Sequence, residues 1–139
     1  MAITFTSIDL PHTLAHSRAV KQWLKEVILA EGHTLGDVSI AWCSDDYILS
    51  SNVQYLGHNY PTDIITFGDN QGNIISGDLL ISLETVKRNG EVFCEGFHVE
   101  QLRVMVHGVL HLCGYDDHTP EEQKVMREKE NFYINKFKA

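Results

Sequence analysis

The sequence predicts an α+β fold in which one mixed β-sheet packs with helices. Runs of alternating apolar and polar residues mark strands, apolar residues spaced three and four apart mark helices, and the chain ends on consecutive helical segments with no further strand signal. The order these patterns give is β, α, β, α, β, β, α, α, α.

The first strand is "ITFTSID", where side chains alternate between two faces. From His16 to Ala30 the spacing becomes helical, with Val20, Trp23, Leu24, Val27 and Ile28 on one face, and the glycines of "EGHTLGD" end that helix. "VSIAWCS" reads as a second, central strand. "DDYILSSNVQYLG" has an acidic start, an apolar face and a terminal glycine, which predict a short helix. "DIITFGD" and "SGDLLISLE" flank the turn signal "NQGN" and predict a hairpin. Residues 82 to 95 and 99 to 113 predict two helices broken around Gly96. "TPEEQKVMREKENFYINKF" predicts the last, with Thr119 as cap, Pro120 in the first position and acidic residues in the first turn.

At 139 residues, with 43% hydrophobic and 22% charged residues, the chain is expected to form a single domain over residues 1–139. The N-terminus lacks the basic and apolar pattern of a secretion signal, and no apolar run reaches the roughly 20 residues of a bilayer span, so a soluble, cytoplasmic protein without membrane contact is expected. Cys43, Cys94 and Cys113 form no CxxC pair and are expected to be reduced core thiols. A net charge of −8 argues against a general coat for duplex nucleic acid, whose phosphates call for Lys and Arg. Arg18, Lys21 and Lys25 recur at helical spacing and supply one local basic path, or a solvated face opposite the apolar one.

The densest chemistry lies in "HGVLHLCGYDDH", residues 107 to 118. His107 and His111, four apart in a helix, project from one face and can meet one ion, the arrangement of a zincin-like metal-binding helix. Gly114 follows where a left-handed cap would turn the chain back, bringing Asp117 or His118 to the same ion as third ligand. Such a set leaves a fourth position for water, as in catalytic zinc sites, and one Zn²⁺ per chain is expected. Gly108 stands where HExxH peptidases carry their general base, so another group must move the proton. Glu100, two turns earlier on the same face, is a candidate for that role or for holding a ligand imidazole, or else a solvent-facing carboxylate.

These residues resemble the YbeY-type bacterial endoribonucleases, metalloenzymes with the signature HGxLHLxGYDH, matched here through "HGVLHLCGYD". "YPTDIITFG" and "SGDLLIS" resemble two further segments of that family, and the similarity extends over roughly residues 35 to 130. The resemblance implies an α+β fold with zinc at the bottom of a cleft, and cleavage of single-stranded RNA in 16S ribosomal RNA maturation and ribosome quality control, with the ribosome and its associated proteins as partners. It also places Thr62, Asp63 and Ser76 near the cleft.

Two positions depart from the family pattern. The place of its third histidine is Asp117, with His118 one further on, and an aspartate would make the ligand set anionic and raise the pKa of a zinc-bound water. In "QYLGHNYPTD" the family's arginine is replaced by Leu56, and His58 is the candidate to supply positive charge instead, or a structural residue of that turn. Two other readings remain: a zinc hydrolase of peptides or small substrates, which the acidic charge favours, and a non-catalytic, metal-stabilised ribosome-assembly factor, which the two departures would fit.

Overall fold

The computed structural model describes residues 2–56 and 62–138. Among the described residues the elements follow the order the sequence predicts: β1 (Ile3–Ser7), α1 (Ser17–Ala30), β2 (Thr34–Cys43), α2 (Asp45–Leu56), β3 (Ile64–Gly68), β4 (Ile74–Ser82), α3 (Leu83–Val92), α4 (Phe97–Leu112) and α5 (Pro120–Ile134). The four strands form one mixed sheet in the order β1-β2-β4-β3. β2 pairs in parallel with both β1 and β4, whereas β3 and β4 form the expected antiparallel hairpin.

Alternation along the strands sorts side chains onto two faces. Val38, Ile40 and Trp42 of β2 and Ile75, Leu79 and Ile81 of β4 join Val20, Leu24 and Ile28 of α1 and Met105, Val109 and Leu110 of α4 in the main core. Cys43, Ile65 and Leu80 form a smaller cluster with Ile48 of α2. α4 thus lies buried along most of its length, so a side chain on its one accessible strip is held by a rigid support.

β2 begins earlier than the sequence pattern predicts. Leu35 is buried and paired with Ile75, and the register then shifts before Val38 pairs with Gly77. Asp37 N–H donates to Ser76 Oγ at 3.1 Å across this irregularity. Thr34 and Gly36, which suggest a turn locally, belong to a bulged strand whose partner is distant in sequence. Ser76 therefore serves this bulge. Of the three cysteines only Cys43 is buried, Cys113 is half-buried and Cys94 is exposed, so the expectation of three core thiols holds for one. No helix among the described residues is long and apolar enough to cross a membrane.

The helix ends carry their expected caps. Ser82 Oγ accepts from Thr85 N at the start of α3, and Thr119 and Glu122 form a reciprocal capping box at the start of α5. At the end of α4, Gly114 has φ +106, with Gly114 N bonded to His111 O and Tyr115 N to Leu110 O. This pair of hydrogen bonds is a Schellman closure, and it reverses the chain immediately after the second histidine.

Candidate metal centre

His107 and His111 stand one turn apart on the accessible strip of α4 with their Nε2 atoms 3.0 Å apart. The reversal at Gly114 returns Asp117 to them, its Oδ2 lying 3.3 Å from His107 Nε2 and 3.5 Å from His111 Nε2. Among the described residues these three offer ligand atoms that all lie within 4.8 Å of one another, a group that could hold a metal ion. His118 is exposed and lines the same hollow without joining that group.

The opposite nitrogen of each ring is already engaged. His111 Nδ1 lies 2.8 Å from Tyr115 O, and His107 Nδ1 lies 2.7 Å from Glu130 Oε2. A carbonyl or carboxylate oxygen only accepts, so in the neutral ring Nδ1 carries the proton and Nε2 presents its lone pair. Two lone pairs and a carboxylate oxygen then face one another at hydrogen-bond distance, which is repulsive unless a cation lies among them. The donor set and its outer partners fit a divalent metal.

Electrostatics point the same way. Burial opposes a charge on His107, but the hydrogen bond and negative charge of Glu130, with Asp117 and Asp63 nearby, outweigh it and raise the imidazole above its ordinary pKa. A positive charge is favoured there, and a metal would compete with the proton for the same place. Burial, helped by the Glu31 charge, pushes the Cys113 thiol up to about 12, so this neighbour of the site is no thiolate.

Glu130 escapes a reading of the sequence. It sits on α5, is 5% exposed, and is shared between His107 and Arg103, whose Nη1 lies 3.0 Å from Glu130 Oε1. Arg103 also pairs with Glu95 at 3.1 Å. Arg103 precedes His107 by one helical turn, and Arg127 precedes Glu130 by three residues with its Nη1 4.0 Å from Glu130 Oε1, and such spacings are the local signals of this network.

Glu100 is buried near the site, but the carboxylate bonded to His107 is Glu130. Burial raises the Glu100 carboxyl above its ordinary pKa, with the Arg103 charge opposing and the Glu95 and Asp63 charges adding to the rise, and its Oε2 has no hydrogen-bond partner among the described residues. His58 lies outside the described residues, as does the side chain of Leu56. Thr62 and Asp63 line the hollow beside the two histidines, together with Asn52, Asn70 and His118. That hollow has a volume of about 550 Å³. Arg18, Lys21 and Lys25 are exposed on α1 and do not line it.

A methyl group built on Gly108 would come within 2.8 Å of Ile64 Cδ1 and 2.9 Å of Leu79 Cδ1. The residue after the first histidine therefore faces the sheet, and its lack of a side chain lets α4 approach β3 and β4 closely. No peptidase-like glutamate stands at this position.

The sequence profile of the family described as endoribonuclease YbeY matches residues 5–138. The chain belongs to the endoribonuclease YbeY family. The match reaches well beyond the span over which the motifs alone carry the resemblance. An endoribonuclease YbeY of Parabacteroides distasonis is 47% identical over 94% of this chain and 92% of its own length. One of Bacteroides thetaiotaomicron is 44% identical over 94% of this chain and 96% of its own. Among solved structures, the solution structure of TM1509 from Thermotoga maritima superimposes with a TM-score of 0.68 at 28% identity, covering 97% of this chain and 88% of that one. The α+β architecture with its mixed sheet is thus the architecture of a known fold.

Proposed function

We propose that this member of the YbeY family is a zinc-dependent endoribonuclease of single-stranded RNA, a single cytoplasmic domain over residues 1–139 that acts with the ribosome in 16S ribosomal RNA maturation and quality control. The observation that carries the reading is the convergence of His107 Nε2, His111 Nε2 and Asp117 Oδ2, each ring being fixed from behind. The nuclease activity comes from the family. The metal requirement is read from that convergence.

Bound by these three residues, zinc would supply Lewis-acid polarisation of a phosphodiester oxygen or activation of a water. The chain's own residues do the rest. Glu130 and the Tyr115 carbonyl hold the rings in the tautomer that ligates, and Asp117 would partly neutralise a bound ion. His118, which lines the hollow, is proposed to meet a phosphate or give a proton to a leaving oxygen. His58 is proposed to supply the positive charge that the family's arginine brings at the place of Leu56.

The test compares untagged wild type with His107→Ala on single-stranded RNA, duplex RNA and a peptide panel, after metal stripping and after zinc is restored. Zinc-dependent cleavage of single-stranded RNA that disappears in His107→Ala is expected. Peptide cleavage without RNA cleavage, or RNA cleavage that survives stripping, overturns the reading.

A further inference from the structure

A second hollow, of about 600 Å³, shares Asp63, His107 and Asp117 with the first and has otherwise different walls. The first is bounded by β3 and Asn70, the second by the end of α3, the middle of α4 and the start of α5. The two meet at the ligand triangle and lead away from it in different directions, so a strand crossing the metal would place neighbouring nucleotides in each.

The second hollow is furnished for more than solvent. Phe93, on its wall, is 55% exposed and offers an aromatic face to the hollow. Lys124 and Arg127, one turn apart on α5 and both exposed, also line it, Arg127 with its Nη1 at the loose distance of 4.0 Å from Glu130 Oε1. Glu100, on the α4 side, is 5% exposed and has an oxygen without a partner. Arg103, the cation on the next turn, is committed to Glu95 and Glu130. A buried acceptor left unpaired is costly, and an N–H donor entering the hollow would relieve it.

We propose that this hollow is a nucleobase subsite for the nucleotide next to the cleaved phosphodiester: the base stacks on Phe93 and turns its hydrogen-bonding edge to Glu100, while Lys124 and Arg127 hold the adjoining phosphate. Stacking on an aromatic ring tolerates any base. Glu100 does not, because its oxygen is matched by the exocyclic amino group of adenine, cytosine or guanine and mismatched by uracil, whose single edge N–H is flanked by two carbonyls. The subsite therefore confers a preference at one position of the RNA. This inference rests on the RNA reading above.

The experiment uses the zinc-loaded full chain, Phe93→Ala and Glu100→Gln on single-stranded RNA oligomers varied one position at a time. It reads cleavage kinetics and, separately, binding of phosphorothioate-linked analogues by fluorescence anisotropy. Phe93→Ala, at an exposed position that leaves folding intact, is expected to weaken binding and raise KM by about tenfold, the weight of one stacked base. Glu100→Gln is expected to alter base preference at a single position and leave the others unchanged. Unchanged binding by Phe93→Ala, or a Glu100→Gln effect equal for every base, overturns the subsite while the nuclease reading stands. Binding that depends on Phe93 and Glu100 in a protein that cleaves no RNA overturns the nuclease reading and keeps the subsite.

Discussion

Glu130 Oε2 lies 2.7 Å from Nδ1 of His107, so α5 holds from behind the ring that α4 presents to the ligand position. The other oxygen of the same carboxylate pairs with Arg103 at 3.0 Å. One buried group thereby fixes the ring's orientation, its tautomer and the packing of two helices. The site is built by tertiary structure as much as by its motif.

Replacing Glu130 by Gln keeps the volume but removes the charge that makes His107 a strong donor. Metal affinity is expected to fall roughly 10–100-fold, the usual effect of losing an outer partner of a ligand imidazole. Competition with a chelating dye measures it. Affinity equal to wild type would mean that Glu130 serves only its arginine partners, Arg103 and Arg127.

Asp117 and His118 make opposite predictions for the third ligand. With Asp117 Oδ2 3.3 Å from His107 Nε2 and His118 outside the group, Asp117→Ala should lose more affinity than the roughly 10–100-fold of an outer partner. His118→Ala should retain its metal. Metal content by mass spectrometry after dialysis against limiting zinc decides between them, and the reverse pattern would place His118 on the ion.

The part of this site that the sequence discloses is the part made by local geometry. His107 and His111 meet because they are one turn apart, and Asp117 returns because Gly114 can adopt φ +106. Glu130 is not disclosed, since it lies 23 residues beyond His107 and arrives through the packing of α5 on α4. The same division holds in the sheet. The β3–β4 hairpin is legible from its turn, whereas the parallel pairing of Leu35 with Ile75, which draws Thr34 and Gly36 into β2, depends on a partner with no local trace.

Glu31 predicts an acid limit to stability. Its side chain is 8% exposed, and although burial alone would raise its pKa, hydrogen bonds from Tyr115, Tyr133 and Lys129 outweigh that and lower it. A depressed folded-state pKa means that the unfolded chain binds more protons in this window, so the contribution is present above the ordinary glutamate pKa and is lost as pH falls through the folded value. Glu31→Gln should therefore be less stable than wild type by about 2 kcal/mol near neutral pH, the worth of charge-assisted bonds, with the gap closing below about pH 4. Thermal unfolding at both pH values measures the gap, and a gap independent of pH would contradict the ionised role.

Gly90 predicts how tightly α3 must sit on α4, and with it the wall of the second hollow. A Cβ there would lie 2.8 Å from Gly96 O and 3.1 Å from Phe97 N, both backbone atoms that cannot swing aside. Alanine normally gains about 1 kcal/mol over glycine inside a helix. Here the clash should exceed that gain, and Gly90→Ala is expected to destabilise by about 1–3 kcal/mol, the range for overpacked sites. Because Asn89 of α3 and Phe93, the residue that caps its end, line the second hollow and no residue of α3 lines the first, the shift should impair RNA binding while leaving zinc affinity unchanged. Denaturant unfolding, chelator competition and RNA anisotropy on the same preparation separate these effects, and a parallel loss of zinc would show that α3 supports the ligands themselves.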